Sequence, residues 1–246
     1  MLGISVALPE EKNTLGKTKK YSGKIDQLSD QSLIVVSGTG PENAREAALL
    51  LLDHGITALV SWGCAAALDD ALQPGDLIIP EQLKSTSGER YLADPPWHNR
   101  LVTHLSSKIK VHNEAIIQSE GLVTTASEKS RLFYSEKAIA VDMESFALAQ
   151  LASETKLPFL SVRAIADPAS MPLPQSVIQA INPQGGIALS VVLKNLAGKP
   201  SEITTLIQLG LHFHAAQKTL KRVRKLAPTL YFPPEVSTPE PARSNL

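Results

Sequence analysis

The sequence predicts an α/β fold of three layers, α, β and α, around a mostly parallel sheet, with extra helices at the C-terminal end. Three observations predict it. Short apolar runs rich in β-branched residues alternate with segments of helical period. The runs are apolar throughout, as for strands covered on both faces. After Pro183 the texture changes and only helical patterns follow.

Leu2–Leu8 reads as the first strand and Ser32–Ser37 (SLIVVS) as a stronger one. Pro41 to Asp53 reads as a helix, with Pro41 in its first turn and Ala44, Ala47, Ala48, Leu51 and Leu52 on one face. Ile56–Ser61 and Asp76–Pro80 follow as strands. The polar segment 84–112, with Pro95, Pro96 and Trp97, reads as a long loop leading to another helix. Ala138–Val141 and Pro158–Ala164 are strands bracketing a helix from about Glu144 to Thr155. Pro183–Leu196 and Ser201–Leu226 look helical. The second carries Leu206, Leu209, Phe213, Ala216, Leu220 and Val223 as one apolar stripe. Lys218, Lys221, Arg222, Arg224 and Lys225 crowd its end. The proline-rich last stretch is expected to be mobile. The predicted division is therefore 1–200 for the α/β domain, 201–227 for a helical extension and 228–246 for a tail.

The chain has 246 residues, 43% of them hydrophobic, which suffices for a sizeable core. Lys plus Arg equals Asp plus Glu, 24 each, so no net charge drives it to nucleic acid or a membrane. Asp53 and His54 break the best apolar run, well short of a membrane span. The start MLGISVALPEEK does not read as a signal peptide. A single cysteine, Cys64, excludes a disulfide framework. A cytoplasmic protein is expected.

Candidate chemistry gathers where strands end. Ser37-Gly38-Thr39-Gly40 sits between a strand and a helix, and reads either as a structural turn or as a loop whose N–H groups face a ligand. Asn43 occupies the third glycine position of a dinucleotide fingerprint, which argues against a nucleotide-dependent reductase. Gly63, Cys64 and Ala65 are small enough to admit a ligand near a strand's carboxyl end, or to permit tight packing. His212 and His214 are two apart on a helix and face different ways, so no metal site is expected. The acids say more. Asp142 and Glu144 lie in AVDMES, Asp167 closes the run FLSVRAIAD, and Glu10 and Glu11 follow the first strand. Each alone reads as a capping, turn or solvated carboxylate. Together they sit at one end of predicted parallel strands, where they can converge in one crevice.

The segments ALPEE (7–11), SGTGPENA (37–44), VSWGCAAALDDALQPGDLIIP (60–80), AVDMES (140–145) and VRAIADPA (162–169) resemble, in that order, the nucleoside phosphorylase and nucleosidase superfamily. The methylthioadenosine/S-adenosylhomocysteine nucleosidase branch is the most similar. NPQGG and the helix LIQLGLHFHAAQKTL look like the hopanoid-associated phosphorylase subgroup. The resemblance implies a twisted mixed sheet and cleavage of the bond between a purine and C1′ of ribose. It implies that Asp167 protonates purine N7, that Glu144 accepts hydrogen bonds from the ribose hydroxyls and that Met143 packs under the sugar. Asp142, Gly63, Cys64 and Ala65 are expected beside the substrate. Glu11 matches the residue that activates water. A phosphate co-substrate held by Gly38, Thr39 and Gly40, with Arg45, is the alternative. No cofactor or metal is implied. The implied substrate is a 5′-modified adenosine such as adenosylhopane.

The chain also departs from the family pattern. The usual Ser–Asp pair is Ala166-Asp167, and the small-Ala-Gly-Gly turn is Cys64-Ala65-Ala66-Ala67. The stretch TTASEKSRLF after Val123 is short, so no residue is assigned to stack on the base. These departures leave a non-catalytic nucleoside-binding module as the rival expectation. A homo-oligomer is expected, and residues 218–225 are expected to give weak contact with an anionic membrane surface.

Overall fold

The computed structural model describes residues 1–179 and 202–228. The chain opens with strand β1 (Leu2–Val6) and helix α1 (Pro9–Leu15). A hairpin of β2 (Lys19–Ser22) and β3 (Ile25–Ser29) leads into β4 (Ser32–Val36), then α2 (Pro41–Asp53) and β5 (Ala58–Ala67). Next come β6 (Leu77–Ile78), β7 (Gln82–Ser85), β8 (Arg90–Leu92), α3 (Pro95–Ser106), β9 (Val111–His112) and β10 (Ile116–Gln118). The last described elements are α4 (Ala126–Glu136), β11 (Ala140–Asp142), α5 (Ser145–Glu154), β12 (Phe159–Asp167), α6 (Gln175–Ile178) and α7 (Ile203–Leu226).

The strands form one mixed sheet in the order β2-β3-β4-β1-β5-β11-β10-β7-β8, with β12 branching from β5 and carrying β6 and then β9. Its centre is parallel: β1 pairs with β4 and β5, and β5 with β12. Antiparallel pairs lie at the margins and where β11 meets the far end of β5. Side chains alternate across the buried strands, as strand geometry requires. Leu33, Val35 and Leu59 pack with Ala44, Ala48 and Leu51 of α2 and Leu148 and Leu151 of α5. Leu2, Ile4, Ile34, Val60 and Trp62 point the other way, to Leu15 of α1, Trp97 and Leu101 of α3, and Ala216, Leu220 and Val223 of α7. The three-layer α/β expectation holds, and α7 lies on the second face of the sheet.

Several segments differ from their sequence reading. The strand expected at Ile56–Ser61 runs to Ala67, so Gly63, Cys64 and Ala65 stand inside β5 and not in a turn after it. Pairing to β12 along this length outweighs the weak strand preference of Gly and Ala. The long loop at 84–112 contains β8 and α3. Pro95 and Pro96 begin α3, where no N–H is needed, and Asp94 caps it by accepting from Trp97 N at 2.9 Å. Glu10 and Glu11 lie on α1 and not in a solvated loop. The stripe of α7 is deeply buried only at Ala216, Leu220 and Val223; Leu206, Leu209 and Phe213 are half-buried. The helix expected at Pro183–Leu196 and most of the 228–246 tail fall outside the described residues. Among the described residues no helix is long and apolar enough to cross a membrane.

Candidate active site

A cavity of about 220 Å³ opens at the carboxyl ends of β1, β5, β11 and β12. Glu11, Thr39, Cys64, Ala65, Asp142, Met143, Glu144 and Asp167 line it. Gly38, Gly40 and Gly63 are not among its lining residues.

Glu11 is 3% exposed. It is the third residue of α1, and its Oε2 accepts from Ala7 N and Leu8 N, both at 3.0 Å, closing the helix start. Its Oε1 accepts from Cys64 N at 2.8 Å. Those donors aim the carboxyl at β5. Burial raises its pKa, and the Arg163 charge works against that rise.

Arg163 was not singled out in the sequence, yet it organises this end of the cavity. It is 1% exposed, inside β12. Its Nε meets Asp142 Oδ2 at 2.8 Å, and its Nη2 lies 3.9 Å from Glu144 Oε2. Nη2 also donates to Ser61 Oγ at 2.5 Å and Ser145 Oγ at 2.9 Å. Burial disfavours the guanidinium charge, but Asp142, Glu144 and Glu11 outweigh it and hold the group charged. A charged residue within a wholly buried strand is the signal by which sequence reading could have found it.

Asp142 ends β11, and its Oδ1 accepts from Ser145 N at 3.2 Å. Glu144 caps α5, and its Oε1 accepts from Gly40 N at 2.9 Å. Gly40 (φ 97°) and Gly38 (φ 86°) take left-handed conformations that suit glycine. The glycine turn thus offers an N–H to a carboxylate of this chain. Arg45, weighed as a phosphate ligand, instead pairs with Glu154 at 2.6 Å on the surface. Burial pushes the Glu144 pKa to about 7, against the pull of Arg163 and with the push of Asp142. Three carboxyl groups gather around one guanidinium here. Cys64 is driven well above the usual thiol range by burial and by Glu11, which makes it a poor nucleophile.

Asp167 closes β12 after a bulge opposite Ala65 and Ala66. It is 8% exposed. Its Oδ2 accepts from Lys129 Nζ at 2.7 Å, while its Oδ1 is buried with no partner. Burial raises its pKa and Lys129 opposes the rise. Lys129, in the short stretch TTASEKSRLF to which no role is assigned, is a second residue that the sequence does not single out. Leu8, Leu122, Val123, Leu173 and Phe213 complete an apolar wall. Phe213 is the aromatic side chain in it, from a helix whose stripe reads as packing and whose basic end reads as a membrane contact. Among the described residues no group of His, Cys, Asp and Glu side chains could hold a metal ion.

The arrangement has one end rich in carboxyl groups around Arg163 and, apart from it, one buried acid with a free oxygen. Comparisons with known proteins place the chain among relatives. A 5′-methylthioadenosine/S-adenosylhomocysteine nucleosidase of Buchnera aphidicola is 27% identical over 197 residues, spanning 68% of this chain and 77% of the relative. One of Staphylococcus epidermidis is 24% identical over 68% of this chain and 86% of its own. Among solved structures, the futalosine hydrolase of Helicobacter pylori superposes with a TM-score of 0.69 at 16% identity, covering 92% of this chain and 95% of that one. The nucleosidase of Neisseria meningitidis bound to methylthio-immucillin-A gives 0.68 at 15% identity over 92% and 96%. The family model described as the phosphorylase superfamily matches residues 6–195, most of the length, and the chain belongs to that superfamily.

Proposed function

We propose that the protein is an enzyme that cleaves the N-glycosidic bond of a purine nucleoside, a 5′-modified adenosine, and releases adenine. The observation that carries this reading is the division of the cavity. Glu11, Asp142 and Glu144 crowd one end around Arg163, and Asp167 keeps Oδ1 unshared. A ribosyl cation needs negative charge beside it and a departing purine needs a proton, and these groups supply both. In this reading Asp167 gives its proton from Oδ1 to N7 while the electron pair of the C1′–N9 bond leaves with the base. Glu144, held by Gly40 N–H, accepts from the ribose hydroxyls. Met143 lies under the sugar. Glu11 takes a proton from water as the water oxygen bonds to C1′. Neither metal nor cofactor takes part.

Water is favoured over phosphate. The carboxylates repel a phosphate dianion, the Gly40 N–H serves Glu144, and Arg45 serves Glu154. The 5′ substituent is apolar, supported by the wall of Leu8, Leu122, Leu173 and Phe213. Adenosylhopane, with its lipid at C5′, is the member of that class we favour. A cytoplasmic homo-oligomer completes the reading. The test is incubation with 5′-methylthioadenosine and with adenosylhopane, with and without phosphate. Adenine and a free sugar, formed equally without phosphate, support it. Phosphate-dependent release of a ribose 1-phosphate derivative removes the base role of Glu11. Binding without any release makes the chain a nucleoside-binding module.

A further inference from the structure

The residue before the acid is Ala166, whose side chain has no donor, and Lys129 supplies the support. Lys129 is 0% exposed. A buried ammonium is tolerated only when its donors are paired. Its three are used: on Asp167 Oδ2 at 2.7 Å, Pro168 O at 2.9 Å and Met171 O at 2.8 Å. The helix that carries it is firmly started. Thr125 caps α4, and Glu128 closes the reciprocal bond. Leu173 N donates to Thr124 O at 2.9 Å, so the chain after Asp167 is tied to this same helix end. One oxygen of Asp167 is therefore fixed from behind, and the other is the buried, unpartnered one.

We infer that Lys129 is a positioning residue for Asp167: it holds Oδ2 and leaves Oδ1 to deliver the proton. The inference rests on the proposed role of Asp167. A carboxyl buried with no cation nearby holds its proton tightly and is a weak acid. Lys129 offsets that burial. The only other charge acting on Asp167 among the described residues is His212 from α7, which when protonated works in the same direction. Cys64 on β5 and the cluster around Arg163 line or border the same cavity.

The experiment measures kcat and KM against pH for wild type, Lys129→Met and Lys129→Gln, with 5′-methylthioadenosine as probe. Activity needs Asp167 protonated, so it falls as pH rises past the Asp167 pKa. Removing the Lys129 charge raises that pKa. The falling limb should move up by about 1–3 pH units, the usual effect of one adjacent opposite charge. Turnover on the low-pH plateau should fall about 10- to 100-fold, with KM changed little. Repeating the profiles in a His212→Gln background removes the imidazole titration, and the shift should persist. An unmoved limb, with kcat within about twofold of wild type, overturns the inference. If wild type is inert, or Asp167→Asn is as active as wild type, the proposed function fails and takes the inference with it. Should neither lysine variant fold, 15N NMR of the wild-type Lys129 side chain decides. An ammonium at pH 7 supports the inference, and a neutral amine overturns it.

Discussion

Gly63 faces the two groups that shape the carboxyl-rich end of the cavity. A Cβ at that position would lie 2.5 Å from Arg163 Nη1, 2.5 Å from Glu11 Oε1 and 2.7 Å from Glu11 Cδ. Each has to retreat by roughly 1 Å to reach ordinary contact distance. Neither is a loose side-chain end. Glu11 is held by three backbone N–H groups, and Arg163 by Asp142, Ser61 and Ser145. Gly63 has no positive φ, so alanine adds no backbone strain and the effect is steric alone. Overpacking of this kind costs about 1–3 kcal/mol. Breaking the Cys64 N–H bond to Glu11 adds about 1.5–3 kcal/mol. Gly63→Ala should thus lose about 2.5–6 kcal/mol in urea unfolding, with an unchanged m-value. Turnover should fall on the order of 10²-fold, the cost of a 1 Å misplacement. Adenine release followed by chromatography reads the second effect. A variant within about 0.5 kcal/mol of wild type and within about threefold in rate would refute the reasoning.

Glu144→Gln should impair ribosides about 10- to 100-fold more than 2′-deoxyribosides, since a charged hydrogen bond is lost only with the former; equal losses would leave Glu144 a helix-terminal role. The same variant tests the raised pKa. The folded state keeps the Glu144 proton up to about pH 7 while the unfolded chain releases it near 4.5, so this stabilisation is full below 4.5 and gone above 7. Glu144→Gln should therefore gain on wild type between pH 4.5 and about 7, by at most about 3 kcal/mol, and a constant difference would contradict it. Lys218, Lys221, Arg222 and Lys225 are exposed on α7. They should give weak binding to anionic vesicles at low salt, about 1 kcal/mol per basic residue, lost at high salt. No sedimentation at low salt ends that idea.

Much of this architecture could be read from residues alone, for a physical reason. β1, β4, α2, α5 and β12 are buried, so their apolar runs and helical faces stand out. The β2–β3 hairpin escaped because its Lys19–Ser22 strand is exposed throughout and carries no apolar pattern. Helix α3 escaped because Pro95 and Pro96 read as breakers, although the first turn tolerates both. The end of β5 escaped because Gly-Cys-Ala-Ala-Ala has little strand preference of its own and is held by its neighbours. The carboxylates were legible because each closes or follows a buried strand. Lys129 was not. Its burial comes from the 167–173 segment folding across α4, a contact that no local pattern encodes.

The central claim is that Asp167 delivers a proton to the departing purine. Asp167→Asn keeps the shape and removes that proton. The decisive measurement is its turnover on two ribosides, one with adenine as leaving group and one with 4-nitrophenolate, which leaves without a proton. The account predicts a loss on the order of 10²–10⁴-fold on the adenine nucleoside and near wild-type cleavage of the nitrophenyl riboside. Equal losses on both substrates, or near-normal adenine release, would contradict it.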